Sequence, residues 1–413
     1  MRELRPGWGR LSRTGGSFWI FAAALTACAA GPEPLDPEAR RAVLASLRRT
    51  DLGEDPSNPY DGDGEVVALG RALFFDVGLS ANGRVSCATC HPPDRGTVDG
   101  LERSSGVGTS ARHTPAIVGC QQGPWFGWDG RADSLWAQAL GPFEGADELG
   151  SDRLAVVRGA TTRHRDAWVD AYGEPPDLSD VLRFPAHARP RRRASDRPLQ
   201  AAWDAMTPED RDVVDAAFVR VGQAIAAYEW TLQPTDARFD RYVDAVLAGD
   251  PSGGGHLADR EVRGFDVFVG AGCRDCHSGP FFTDRGFHNL GVPEPERGFD
   301  PGRRSGAEAV LQSPFRCGGA HAPSRSCAEL EYLDPGFPDF VAAFKTPTLR
   351  NVARTAPYFH TGAAATLEDV VDFYDDLDDP PPAGHRELIL EPLGLSDADA
   401  ADLIAFLGTL DGA

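Results

Sequence analysis

Cys87-Ala-Thr-Cys90-His91 and Cys273-Arg-Asp-Cys276-His277 are the two stretches on which the reading of this chain turns. Each sets two thiols three positions apart, with an imidazole directly after the second. This is the attachment pattern of a c-type haem. The thiols bond to the vinyl-derived carbons of one porphyrin, and the adjacent histidine reaches the iron as an axial ligand. A four-thiolate zinc site or a redox dithiol would also use Cys-x-x-Cys pairs. Neither gives the histidines a role, and the two pairs lie in opposite halves of the chain. The expectation is two covalently bound c-type haems.

The N-terminus reads as a processing segment. Arg2, Arg5, Arg10 and Arg13 precede an apolar run from Phe18 to Leu25, followed by Thr26-Ala27-Cys28. The run is too short to span a bilayer and suits an export signal over residues 1–28. Its ending resembles a bacterial lipobox with Cys28 as the lipid site; a plain signal peptide with a chance cysteine is the alternative. Both predict a periplasmic protein, and the first predicts membrane attachment through a lipid alone.

Hydrophobic residues make up 41% of the 413, enough for two domains with real cores. The formal net charge of −21 argues against nucleic acid and favours a positively charged partner. The basic run from Arg189 to Arg193 reads as a solvated loop. Cys317 and Cys327 close a loop rich in Gly, Pro and Ser, which suggests a disulfide in an oxidising compartment. Cys120 is left as a buried free thiol.

The clear periodic segments are helical. Thr207-Pro208-Glu209-Asp210 caps a helix carrying Val214, Phe218, Val221, Ile225 and Tyr228. Asp259 to Val269 leads into the second motif. Thr366 and Ser396 start two more helices, the last with Leu403, Ile404, Leu407 and Leu410. Residues 174–206 and 283–340 read as long loops. The predicted fold is mainly α: two c-type-cytochrome-like haem domains with long irregular loops.

Three further stretches carry a resemblance. They are Leu73-Phe-Phe-Asp76 through His91, Trp128-Asp-Gly-Arg-Ala-Asp-Ser-Leu-Trp-Ala-Gln-Ala-Leu-Gly-Pro142, and Phe344-Lys-Thr-Pro-Thr-Leu-Arg-Asn-Val-Ala-Arg-Thr-Ala-Pro-Tyr-Phe-His-Thr-Gly362. From about residue 60 onward the chain resembles the bacterial di-haem cytochrome c peroxidase and MauG superfamily. The resemblance implies a peroxidatic haem domain over 36–232, with the haem on Cys87 and Cys90 and His91 as proximal ligand. An electron-transfer haem domain over 233–395 would hold the second haem on Cys273 and Cys276, with His277 as ligand. The C-terminal helix, 396–413, is expected to pack back on the first domain. Trp128 matches the tryptophan that assists electron transfer between the haems. Gln138, Pro142 and Glu148 match the distal pocket, with Glu148 moving a proton between the peroxide oxygens. Read without the resemblance, Glu148 is a surface carboxylate and Trp128 a core aromatic.

Two departures bear on the subtype. Many classical members block the peroxidatic iron with a distal histidine, whose place here falls near Ser105; no histidine stands there. The expectation is an open iron position, with His113 swinging in as the rival reading. His113 stands where the family has an asparagine that holds Ca²⁺ together with carbonyls matching Thr355 and Pro357. An imidazole is a poor calcium ligand, which argues against the ion. The second departure concerns the other axial ligand of the second haem. The usual methionine position falls on Tyr374, and the chain has only Met1 and Met206. MauG also has tyrosine there. Leu367, Val370 and Tyr374 share one helix face, although a core tyrosine would show the same spacing. Thioether ligation raises the potential, whereas phenolate favours ferric iron.

The resemblance implies a peroxidase that reduces H₂O₂ to water with electrons from a small donor protein, a cytochrome c or a cupredoxin. The alternatives are a MauG-like enzyme that oxidises side chains of a partner protein and a non-enzymatic electron-transfer cytochrome. The Gln138/Glu148 set argues against a mere relay. Family members are often homodimers; the residues add nothing to that.

Overall fold

The computed structural model describes residues 34–412 apart from 122, 191–192, 295–297, 324–325 and 378. The expected export segment with Cys28 lies outside the described residues.

The long helix Pro208–Trp230 is the axis of the first core. Thr207 caps it by accepting a hydrogen bond from the Asp210 N–H (3.1 Å), and Pro208 takes the first helical position. Its expected apolar stripe, Val214, Phe218, Val221, Ile225 and Tyr228, is buried throughout. The helices Gly64–Phe75 and Leu135–Glu144 pack against it. Gly70 explains how close the first of these comes. A Cβ there would lie 1.8 Å from the Ala224 carbonyl oxygen, so only glycine lets the two backbones touch.

The second core joins the helices Pro37–Leu47, Arg238–Leu247, Asp259–Gly270 and Asp397–Leu407. Phe239, Phe265, Phe268, Phe282 and Phe406 meet in it, with neighbouring ring centroids such as Phe268 and Phe406 5.3 Å apart. Offset and edge-on pairs of this kind add to the apolar burial.

Both ends of the described chain belong to this second core, which corrects two expectations. The last helix packs on Asp259–Gly270 rather than on the first half. Its stripe of Leu403, Phe406, Leu407 and Leu410 meets the phenylalanine face, and Arg263 pairs with Asp402 at 2.8 Å. The helix Pro37–Leu47, expected to open the first domain, likewise turns Val43, Leu44 and Leu47 into the second core. Arg40 fixes it there through Asp266 at 2.7 Å.

The fold is mostly helical, as expected. Among the described residues the only paired strands are Phe287–His288 and Phe344–Lys345, antiparallel. Two stretches read as loop contain helices, Arg197–Ala205 and Arg303–Gln312. Arg189 departs from the solvated-loop reading: it is buried and paired with Asp196 at 2.9 Å. The Cys317–Cys327 disulfide forms, with Cα atoms 5.7 Å apart.

Candidate haem sites

Cys87–Cys90 is a single helical turn capped by Ser86, whose N–H donates to the Thr89 hydroxyl (2.9 Å). His91 follows, and its Nδ1 lies 2.9 Å from the Thr97 carbonyl. A carbonyl can only accept, so Nδ1 carries the hydrogen and Nε2 is left with a lone pair for a metal. The second motif repeats the device: Nδ1 of His277 lies 2.9 Å from the Phe282 carbonyl. Both acceptor residues are non-glycine residues in the left-handed region, Thr97 at φ 61° and Phe282 at φ 53°. That backbone turn is uncommon and aims the carbonyl back at the ring. Burial holds both imidazoles below their usual range, in the neutral form a ligand needs.

The two Cys-x-x-Cys pairs do not come together among the described residues, so the arrangement gives no four-thiolate zinc site. Cys87, Cys90 and His91 instead open onto a cavity of about 1000 Å³. That is the upper end for a ligand pocket. Val85, Leu135, Phe218 and Ile225 give it apolar walls. Two thiols, a free Nε2 and an apolar slot of this size fit a haem.

The distal candidates line the same cavity. Gln138 and Pro142 sit on Leu135–Glu144, four residues apart. Proline has no N–H, so the Gln138 carbonyl loses its usual helical donor there. Glu148 lies in the following loop, where its carbonyl accepts from the Val107 N–H (2.8 Å). It is exposed toward the cavity space rather than sealed in. Its carboxylate folds over Gly145, where an added Cβ would lie 2.0 Å from Oε2. Gly145 is thus a supporting residue that sequence reasoning missed.

Trp128 sits where several segments converge. Its Nε1–H donates to the His113 carbonyl (2.9 Å), and its own carbonyl accepts from the Lys345 N–H (2.8 Å). Next to it, buried Asp129 pairs with Arg112 (2.8 Å) and Arg131 (2.7 Å). Burial alone would raise the Asp129 carboxyl, but the two guanidinium groups outweigh it and hold the group well below the carboxylate range.

His113 is buried, with Nδ1 at 2.8 Å from the Leu101 carbonyl, and its ring also faces the Thr355 backbone. This geometry ties the ring to peptide groups. It does not fit calcium, because a nitrogen-bearing ring stands against the Thr355 carbonyl the ion would need. Thr355 and Pro357 line the large cavity instead.

At the second motif, Tyr374 projects from Leu367–Asp376 between the rings of Phe359 and Phe373. Burial, and then the Cys273 and Cys276 thiols close by, push its phenol well above the usual range. The structure therefore brings Tyr374 to the second motif. His288 is a neighbour that sequence reasoning missed. It lies between Asp284 (2.9 Å) and Glu387 (2.8 Å), and Asp284 foremost, with Cys276 and Glu387, pushes it up to about 11.

Glu229 was missed as well. It is buried on the wall of the first cavity, and burial pushes its carboxyl up to about 8. The available signal was a carboxylate continuing the Phe218–Ile225 face of the long helix at helical spacing.

Comparisons with known proteins agree with this geometry. The family model for di-haem cytochrome c peroxidase matches residues 64–246. The methylamine utilization protein MauG of Methylorubrum extorquens is 35% identical over 89% of this chain and 84% of its own length. A cytochrome-c peroxidase of Denitromonas iodatirespirans is 31% identical over 85% of this chain and 83% of its own. The crystal structure of the diheme peroxidase BthA from Burkholderia thailandensis shares the fold, with a TM-score of 0.63 and 24% identity over 92% of this chain and 90% of that one. Haems are the cofactors this relationship implies, and peroxidase-type oxidoreduction is its chemistry. The chain belongs to the di-haem cytochrome c peroxidase and MauG family.

Proposed function

We propose that this protein is an exported di-haem peroxidase that reduces H₂O₂ to two waters with two electrons and two protons. Haems held through thioether bonds to Cys87 and Cys90, and to Cys273 and Cys276, would supply electron transfer and cleavage of the O–O bond. The inequality of the two sites carries this reading: only the first opens onto the large cavity with Gln138, Pro142 and Glu148 on its wall. His91 would hold the haem iron through Nε2. Glu148 takes a proton from one peroxide oxygen and delivers it to the other. Gln138 offers its amide to orient the peroxide. Trp128, clamped through His113 and Lys345, would assist electron transfer between the sites. His277 and Tyr374 would hold the haem iron of the second site. A small positively charged redox protein, a cytochrome c or a cupredoxin, fits the charge of −21 as donor. Export through residues 1–28, with lipidation at Cys28, fits periplasmic haem attachment.

A second reading is favoured by Tyr374. A tyrosine-ligated haem is a poor electron store, which suits an enzyme that uses peroxide to oxidise side chains of a partner protein. One experiment separates the two. H₂O₂ is added to the resting oxidised protein, the optical spectrum is recorded, and reduced cytochrome c is then supplied. Rapid oxidation of the cytochrome supports the peroxidase. A long-lived altered spectrum with negligible turnover supports side-chain oxidation. No spectral response overturns both.

A further inference from the structure

Glu229, one residue before the end of the long helix, lies on the wall of the cavity shared by Cys87 and Glu148. It is 4% exposed, and its Oε2 has no hydrogen-bond partner among the described residues. The ionisable groups around it are the Cys87 and Cys120 thiols, the Tyr228 phenol and, further along the cavity, Glu148. The Lys345 amine faces Cys120 and donates to the Trp125 carbonyl (2.9 Å). Gln121 approaches from another side, but its amide donates to the backbone carbonyl of Glu229 and not to the carboxyl. Nothing in this set gives the carboxylate a counter-ion, and burial alone sets its proton affinity. A buried carboxyl in that position keeps its proton unless positive charge appears nearby.

The haem site is where such charge would change. An oxidised iron centre carries one positive charge more than a reduced one. Loss of that charge strengthens the hold of a neighbouring carboxyl on its proton. Glu229 acts on the Cys87 thiol ahead of Glu148, whereas Glu148 acts on Cys90, so Glu229 belongs to the Cys87 side of the first attachment point.

We propose that Glu229 is the charge-balancing proton acceptor of the first site, taking one proton from solvent for each electron that arrives there and releasing it when that electron leaves. The electron comes from the one-electron donor protein and the proton from water, so charge and atoms balance. Glu148 has a different task, moving a proton within the peroxide. The inference rests on the haem at Cys87 and Cys90 and holds for both enzymatic readings.

The test uses the haem-loaded protein, with intact mass first establishing two attached porphyrins; their absence would fail the haem reading, not this one. Spectroelectrochemical titration is then run from about pH 6 to about pH 9. The first site's potential should fall with rising pH, approaching a tenfold change in the reduction equilibrium per pH unit, or about 59 mV. The second site's slope serves as the internal reference. Glu229→Gln should flatten the first slope and leave the second unchanged, and Glu229→Asp should keep a slope. Redox-difference infrared spectra should show a carboxyl C=O band in the native protein that Glu229→Gln removes. An unchanged slope in Glu229→Gln overturns the proposal. So does a flat slope or a missing carboxyl band in the native protein, readouts that stand even if the variant fails to load haem.

Discussion

The two Cys-x-x-Cys-His motifs are built alike and housed differently. In each, a carbonyl from a left-handed residue fixes the histidine ring, Thr97 for His91 and Phe282 for His277. Around the first, the chain leaves a cavity of about 1000 Å³ whose wall mixes apolar and aromatic side chains with charged ones and holds Gln138, Glu148 and Glu229. Around the second it gathers phenylalanines and sets Tyr374 close to the thiols. On the proposed reading the motif would supply attachment and ligand orientation, while the surrounding shell would decide whether the iron meets a small molecule or only electrons.

The contrast breaks most visibly at Glu148. Glu148→Gln keeps the shape and removes the proton carrier, so peroxide turnover should drop by about 10²–10⁴-fold. The second site's spectrum should be unaffected. Stopped-flow mixing with peroxide reads the rate, and a loss smaller than about tenfold would remove Glu148 from the acid–base role. Tyr374→Phe is the mirror image. It should alter the optical and paramagnetic resonance spectrum of the second site alone. Identical spectra in native and variant protein would return Tyr374 to being a wall residue.

The clamp between the regions comes next in size. Asp129→Asn removes the charge that Arg112 and Arg131 share beside Trp128. The loss should lie toward the lower end of the roughly 3–5 kcal/mol typical of a broken buried pair, because Asp300 still accepts from Arg112 at 2.7 Å. The pH dependence has a definite sign. The folded carboxyl lies below its unfolded value, so its contribution is full above about pH 4 and is lost as pH falls through the folded value. The stability gap between native and variant protein, from urea unfolding, should therefore hold near neutrality and shrink in acid. A gap that widens in acid would reverse the assignment.

How much of this was legible beforehand follows from the range of each signal. Cysteine spacing and helix caps are local signals, and Thr207, Thr366 and Ser396 cap helices where the pattern placed them. The partner of the last helix did not. A stripe of Leu403, Phe406 and Leu407 fits any apolar face, and its partner was decided by a glycine more than a hundred residues away. At the sites, the candidate ligands could be named from the motifs, but their supports could not. A positive φ at Thr97, a vacant Cβ position at Gly145 and the burial of Glu229 depend on tertiary packing that no local pattern encodes. Arg189 failed for the same reason: a basic run looks solvated until Asp196 is known to face it.

That long-range glycine supplies the smallest effect and the sharpest separation of the two regions. Gly264 lies inside Asp259–Gly270, where alanine would ordinarily help a helix by roughly 0.5–1 kcal/mol. Here an added Cβ would lie 1.9 Å from the Asp402 carbonyl oxygen, backbone that cannot rotate aside. Gly264→Ala should therefore destabilise, by roughly the 1–3 kcal/mol of an overpacked contact, against the sign that helix propensity alone predicts. Because the last helix closes the phenylalanine core, the strain should reach the second haem site and spare the first. Thermal melting followed separately at each site's absorption checks both halves of this. A stabilised variant would mean that the last helix is not seated on Asp259–Gly270. A first site that melts earlier as well would mean that the two shells are less independent than their separate cores imply.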